Sequence, residues 1–124
     1  MLRGVLGDEC VRLLSSQHRV PRGMGGSSEA WVNAPESLVT LCGDGTTGHH
    51  GWAERNRSAA QLLGLIVRRA RTAEETHERV LETPVMVRGQ WKKPTAAGVA
   101  QWRLALPPDE FRGRMFADVL GGVL

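Results

Sequence analysis

Short apolar runs separated by turn residues dominate the first half of the chain, and helical spacing takes over afterwards. Residues 37–42 (SLVTLC) form a β-branched apolar run of strand length, and GDGTTG at 43–48 is a turn-rich connection. Upstream, residues 17–31 carry Pro21, Gly23, Gly25 and Gly26, which predicts an extended strand breaking into an irregular loop, with His18 at the strand's end. The two strands can pair as a hairpin across that loop. Over 52–63 the spacing becomes helical, with Trp52, Ala59, Leu62 and Leu63 at apolar positions and Gly64 as carboxyl cap. A second helix is expected over 72–81, where Thr72 and Glu75 have the spacing of a capping box.

The remaining segments carry weaker patterns. Residues 2–14 predict a short helix with Cys10 near its end, and PVMV and GQW, at 84–87 and 89–91, predict short strands or extended arms. Beyond Ala96 the apolar residues Trp102, Leu104, Leu106, Phe111, Met115 and Phe116 are interrupted by Pro107 and Pro108. The fold class is therefore α+β. A strand–loop–strand–helix core at about 10–64 is followed by an extension at about 72–124, with no repeat and no second domain over residues 1–124.

At 124 residues, with 41% apolar and 23% charged side chains, the chain falls among ordinary globular domains, near the size where core burial alone gives modest stability and a bound metal would help. No apolar run reaches the length of a membrane span, and charges interrupt the apolar stretch of the amino terminus, so neither membrane nor export is expected and the cytoplasm is the expected compartment. The net charge of +3 favours an anionic partner without identifying one. The placement of the arginines says more. Arg3, Arg12, Arg19 and Arg22 precede the glycine-rich stretch, and Arg55, Arg57, Arg68, Arg69 and Arg71 follow the histidines, although the last three also fit a solvated surface. GMGGSS at 23–28 lacks both the lysine of a P-loop and the spacing of a dinucleotide fingerprint. The four tryptophans can stack on bases or supply the core, and in a chain with two phenylalanines and no tyrosine the core is the expected place.

The candidate chemistry lies between residues 10 and 57. His18 and His50 are side chains suited to accept a proton near neutral pH or to ligate a divalent ion, though either alone fits a surface or core role. Cys42 followed seven residues later by His49 and His50 puts sulfur and nitrogen donors on one short connection, as compact metal sites do. Cys10 and Cys42 also fit as two buried thiols.

The stretches QHRVPRGMGGSS and NAPESLVTLCGDGTTGHHGWAERNR resemble the HNH endonucleases common in phages of actinobacteria, from about Leu6 through Gly98. The resemblance implies a ββα-metal core acting on DNA, with His18 as general base, His50 as ligand of a catalytic Mg²⁺ or Mn²⁺, and Asn56 where the family often has a further histidine. Glu54, four residues after His50, is a rival ligand if one helix carries both. Arg19, Arg22, Arg55 and Arg57 are the expected phosphate contacts. Besides Asn56, four positions depart from the family pattern, one of them His49, which is exchanged for a cysteine of the family. Gln17 replaces a stronger metal ligand, and Ser37 stands where an asparagine orients the base, with Asn33 nearby but out of register. Leu13 replaces one member of a four-ligand structural Zn²⁺ site whose others correspond to Cys10, Cys42 and His49. By analogy a large terminase and a portal are candidate partners. A catalytically impaired DNA-binding or assembly subunit that retains the fold, and a zinc-stabilised protein-interaction module, are the alternatives.

Overall fold

Burial alternates along the first strand, and that alternation fixes what it touches. In a computed structural model, which describes residues 10–21, 30–94, 102–114 and 116–121, β1 spans Leu14–His18 and pairs antiparallel with β2, Leu38–Cys42, so that Leu14 faces Cys42 and His18 faces Leu38. Ser15, Gln17 and Arg19 share one face by the two-residue period of a strand. That face is turned inward: Gln17 and Arg19 are buried, whereas Leu14 and Ser16 are exposed. Between the strands lie two single 3₁₀ turns, Ala30–Asn33 and Pro35–Ser37.

After β2 the chain turns through residues 43–47 into α1, Gly48–Arg55, and α2, Arg57–Leu62. The expected helix over 52–63 is thus two helices, the first starting four residues earlier, and Asn56 with φ −126° and ψ 58° is the break between them. Asp44 holds the turn: its Oδ1 accepts from the amides and hydroxyls of both Thr46 and Thr47. Those bonds draw its pKa down from 3.8 to about 2. Because the folded value lies below the unfolded one, the stabilisation is complete above 3.8 and disappears as the pH falls through about 2. An Asp44→Asn variant should accordingly melt below the wild type at neutral pH, with the gap closing over that acid window in thermal melts. Gly43 opens the turn at φ +84°, a conformation that costs a residue with a Cβ, and there a Cβ would also collide with the Thr47 carbonyl.

α3, Ala73–Glu82, is capped as expected, with the Thr72 hydroxyl accepting from the Glu75 amide at 3.1 Å. A second sheet, in the order β3–β4–β5, comprises Val85–Val87, Gln90–Pro94 and Trp102–Leu104. Gly64 ends α2 at φ +75°, packed against the Pro84 carbonyl, and Met86 N donates to Leu63 O, so the second sheet is sewn to the end of α2. α4 is Phe116–Leu120. The described residues therefore form a mixed α+β structure with two small sheets and four short helices.

One core joins Val39 and Leu41 of β2, Ala53 of α1, Ala59, Ala60 and Leu63 around α2, and Val85, Met86, Phe111 and Leu120; Trp52, Trp91 and Trp102 pack against it. A smaller cluster of Val20, Val67 and Val80 is covered by Trp31. Trp31 also stacks on His77 of α3, whose Nε2 bonds Glu36 at 2.9 Å. Residues 10–13 are not helical, so the expected helix over 2–14 does not include them, and its first eight residues lie outside the described ones. The glycine-rich loop from Arg22 and the segment 95–101 also lie outside them. No helix among the described residues is long and apolar enough to cross a membrane.

Candidate metal centre and histidine cleft

Two adjacent histidines serve two different places because successive helical residues point about 100° apart. His49 and His50 lie in the first turn of α1. His49 turns towards Cys42 and Cys10, with Nδ1 2.8 Å from the Cys42 sulfur and 3.7 Å from that of Cys10. The three ligand atoms lie within 4.8 Å of one another, so the group can hold a metal ion. A tetrahedral Zn²⁺ with ordinary bond lengths needs sulfur–nitrogen edges of about 3.6 Å, which small side-chain adjustments supply. Burial opposes ionisation of the Cys42 thiol, but hydrogen bonds from the His49 backbone and ring, from Cys10 and from the Val11 amide outweigh it and lower its pKa from 9.0 to about 7. The hairpin register brings Cys10 and Cys42 to the same end of β1–β2, and the Asp44 turn returns His49 to it. Leu13, between Cys10 and β1, is 57% exposed and accepts from the Gly43 amide through its carbonyl. Purified protein is expected to carry one Zn²⁺ per chain by elemental analysis, and Cys42→Ser to lose it.

His50 turns the other way. Its Nδ1 lies 2.6 Å from Ser15 Oγ, which itself lies 2.6 Å from the Gly43 carbonyl. The serine has one proton and the carbonyl can only accept, so Ser15 donates to Gly43 and the His50 Nδ1–H donates to Ser15. The lone pair of His50 is therefore on Nε2, the atom left to ligate a cation. His18 is fixed in the opposite sense: its Nε2 meets Asn33 Oδ1 at 2.9 Å, an acceptor, which leaves Nδ1 as the basic nitrogen.

Both imidazoles line one cleft of about 290 Å³, together with Ser16, Gln17, Pro21, Glu54, Arg57 and Ile66. Glu54 follows His50 by one helical turn and is ion-paired with Arg57 at 3.0 Å, both exposed. Gln17 donates its Nε2 to the Leu65 carbonyl at 3.0 Å, and its Oε1 is buried with no hydrogen-bond partner among the described residues. A glutamate and an imidazole nitrogen on one cleft, with the Gln17 amide in its wall, are donors of the kind a divalent cation takes.

The structure gives three of the expected site residues other contacts. Arg19 cannot reach a phosphate: it is fully buried, and its guanidinium donates to the carbonyls of Gly64, Glu36, Val80 and Thr83, each within 3.0 Å. Burial pulls its pKa down from 12.5 to about 9, so it remains charged at neutral pH. Ser37 does not contact His18: its Oγ is buried with no hydrogen-bond partner among the described residues while its carbonyl accepts from the Arg19 amide, and Asn33 makes the contact with His18. Asn56 caps α1, donating Nδ2 to the Trp52 carbonyl, and does not line the cleft. Arg55 braces the turn through the Thr46 carbonyl, Arg57 stands at the cleft, and Arg22 lies outside the described residues.

Two contacts escaped the sequence reading. Nothing in its pattern distinguishes Ser15 from Ser16, and only the strand's inward face selects it. Asn33 fell out of register on spacing alone, but a 3₁₀ turn brings it back to His18 across fifteen residues. Comparison of the chain with known family models, with curated proteins and with solved structures gives no match.

Proposed function

We propose that this chain is a metal-dependent endonuclease of the HNH type, hydrolysing DNA phosphodiester bonds in the His18–His50 cleft. The observation that carries the reading is the pair of oppositely fixed imidazoles on one cleft, one presenting a basic Nδ1 and the other a ligating Nε2. The order β1, β2, α1 around them is the arrangement a ββα-metal core requires.

Phosphodiester hydrolysis needs a base for water and positive charge at the phosphate. His18 Nδ1 takes the proton of the attacking water, while Asn33 holds the ring and stabilises the imidazolium that forms. His50 Nε2, Glu54 and Gln17 Oε1 are the residues that would hold Mg²⁺ or Mn²⁺, which when bound would neutralise developing charge on the phosphate and the leaving oxygen. Exposed ion pairs are weak, so Arg57 can leave Glu54 for a phosphate oxygen when Glu54 turns to the cation. Products then carry 5′-phosphate ends. By resemblance, the DNA is handled beside a large terminase and portal.

A non-catalytic DNA-binding subunit is the second reading, favoured by the engagement of Gln17 with Leu65 and of Glu54 with Arg57. Plasmid nicking by metal-free protein with Mg²⁺, Mn²⁺ or Zn²⁺ restored separates the two. Cleavage that requires a divalent ion supports the nuclease; salt-sensitive DNA binding without cleavage in any metal supports the second reading.

A further inference from the structure

The metal centre and the histidine cleft meet at three short segments of chain. Cys10 precedes β1, Cys42 ends β2 and His49 lies in the first turn of α1, and their ligand atoms lie within 4.8 Å of one another. The same three segments are joined a second time by hydrogen bonds between Ser15 of β1, Gly43 after β2 and His50 of α1. Cys42 is covalently next to Gly43, and His49 is next to His50. A metal ion on the first group therefore holds together the two strands and the helix turn that carry the second.

Little slack separates the two groups. Gly43 is bonded to the β1 chain on both sides, its amide donating to the Leu13 carbonyl at 2.6 Å and its carbonyl accepting from Ser15 at 2.6 Å. Gly43 and Gly48 both take positive φ, and a Cβ would stand 2.0 Å from Thr47 O at the first and 2.6 Å from Cys42 O at the second. Backbone packed that closely passes a displacement on and does not absorb it. A metal that closes the loop 42–49 also removes conformations in which the start of α1 turns away from β2.

We propose that occupancy of the Cys10–Cys42–His49 centre by a metal governs the His50 imidazole, with Ser15 as the positioning residue between them. With the metal bound, Ser15 and the Gly43 carbonyl keep the His50 proton on Nδ1 and turn Nε2 to the cleft. Once it is withdrawn, the three segments loosen and the ring samples both tautomers. Partners that orient a ligating histidine through its second nitrogen change metal affinity by about 10- to 100-fold, so the centre sets how well the cleft takes a cation. That last consequence rests on the cation site of the proposed function; control of the ring does not.

Two-bond ¹H–¹⁵N spectra of the full chain, recorded at about pH 8 where imidazoles are neutral, read the His50 tautomer. Mn²⁺ titration followed by electron paramagnetic resonance reads the cleft. Zinc-loaded protein should show one Nδ1–H tautomer at His50. After the zinc has been chelated and the chelator removed, the tautomers should average and Mn²⁺ binding should weaken about tenfold. Ser15→Ala should show the averaged ring and the weaker Mn²⁺ binding while retaining its zinc, a comparison that needs no metal-free protein. Ser15→Thr, which keeps the hydroxyl, should match the wild type. A His50 tautomer indifferent to zinc and to Ser15→Ala would overturn the proposal, as would an averaged ring in the zinc-loaded wild type. Loss of zinc from Ser15→Ala would also overturn it, by making the serine a support of the centre and not a link to the ring. Mn²⁺ bound by no form, with the tautomer following zinc and Ser15, would take the cation and the nuclease reading from the cleft and leave the coupling in place.

Discussion

Arg19→Met is expected to destabilise the domain by about 4 kcal/mol, a large share of the stability of a protein of this size, because it strands several buried carbonyls at once. The guanidinium joins four segments that are distant in sequence: the second 3₁₀ turn through Glu36, the end of α2 through Gly64, α3 through Val80 and its exit through Thr83. Its backbone does the same, donating to Ser37 and accepting from Val67. Methionine fills most of the volume but provides no donor, so the packing survives and the carbonyls do not find partners. Lysine keeps the charge but lacks the planar fork that reaches four acceptors, and should fall between the two. Thermal and denaturant melts measure the difference. Were Arg19 a phosphate contact, Arg19→Met would leave the melting temperature unchanged and lower the salt dependence of DNA binding instead.

His18→Ala is expected to reduce metal-dependent cleavage about a thousandfold while the melt changes little, since general bases contribute roughly 10²–10⁴ to rate. The ring is partly exposed at the end of β1, and its contact with Asn33 is exposed as well, so little stability is lost with it. Asn33→Ala should produce a smaller loss, about 10- to 100-fold, with the pH–rate profile displaced, because it frees the imidazole to change tautomer and orientation. Ser37→Ala should leave cleavage close to wild type, for its hydroxyl makes no hydrogen bond among the described residues. Single-turnover nicking across a pH series distinguishes these outcomes. Equal losses for Ser37→Ala and Asn33→Ala would remove Asn33 from the positioning role.

Several features of the fold were legible because they are local. SLVTLC reads as a strand from its β-branched run, and β2 begins one residue later than that run. The Asp44 turn, the Thr72 cap and the Gly64 stop depend on side chains acting within four residues of themselves, and each occurs where the sequence places it. The carboxylate–backbone bonds of a turn or the freedom of a glycine need no partner from elsewhere. β1 begins at Leu14, earlier than the pattern predicts, because Leu14 and Ser15 alternate no more strongly than a loop does. The break at Asn56 has no counterpart in the pattern because Arg57 to Leu62 continue a helical spacing; its amide bonds back to Trp52 and ends α1.

The candidate sites were legible as residue types but not as arrangements. Spacing and donor chemistry put Cys42 with His49 and His50, the resemblance adds Cys10 and singles out His49, and the structure places the ligand atoms of Cys10, Cys42 and His49 together. That Arg19 is a buried clamp rather than a surface cation was not readable, since its four acceptors lie 17 to 64 residues away and are backbone atoms, which carry no sequence signature. The separation of His49 from His50 likewise needed the start of α1 to be known, because a shift of one residue would exchange the two.

By itself the sequence determined the local elements, the turn that joins β2 to α1 and the stock of donors between residues 10 and 57. Only the tertiary structure decided which donor meets which: Asn33 rather than Ser37 at His18, Ser15 at His50, carbonyls rather than phosphates at Arg19. The physical reason is that backbone propensity and hydrophobic period act over a few residues, whereas a side chain's hydrogen-bond partner is chosen by strand register and helix phase across the whole fold.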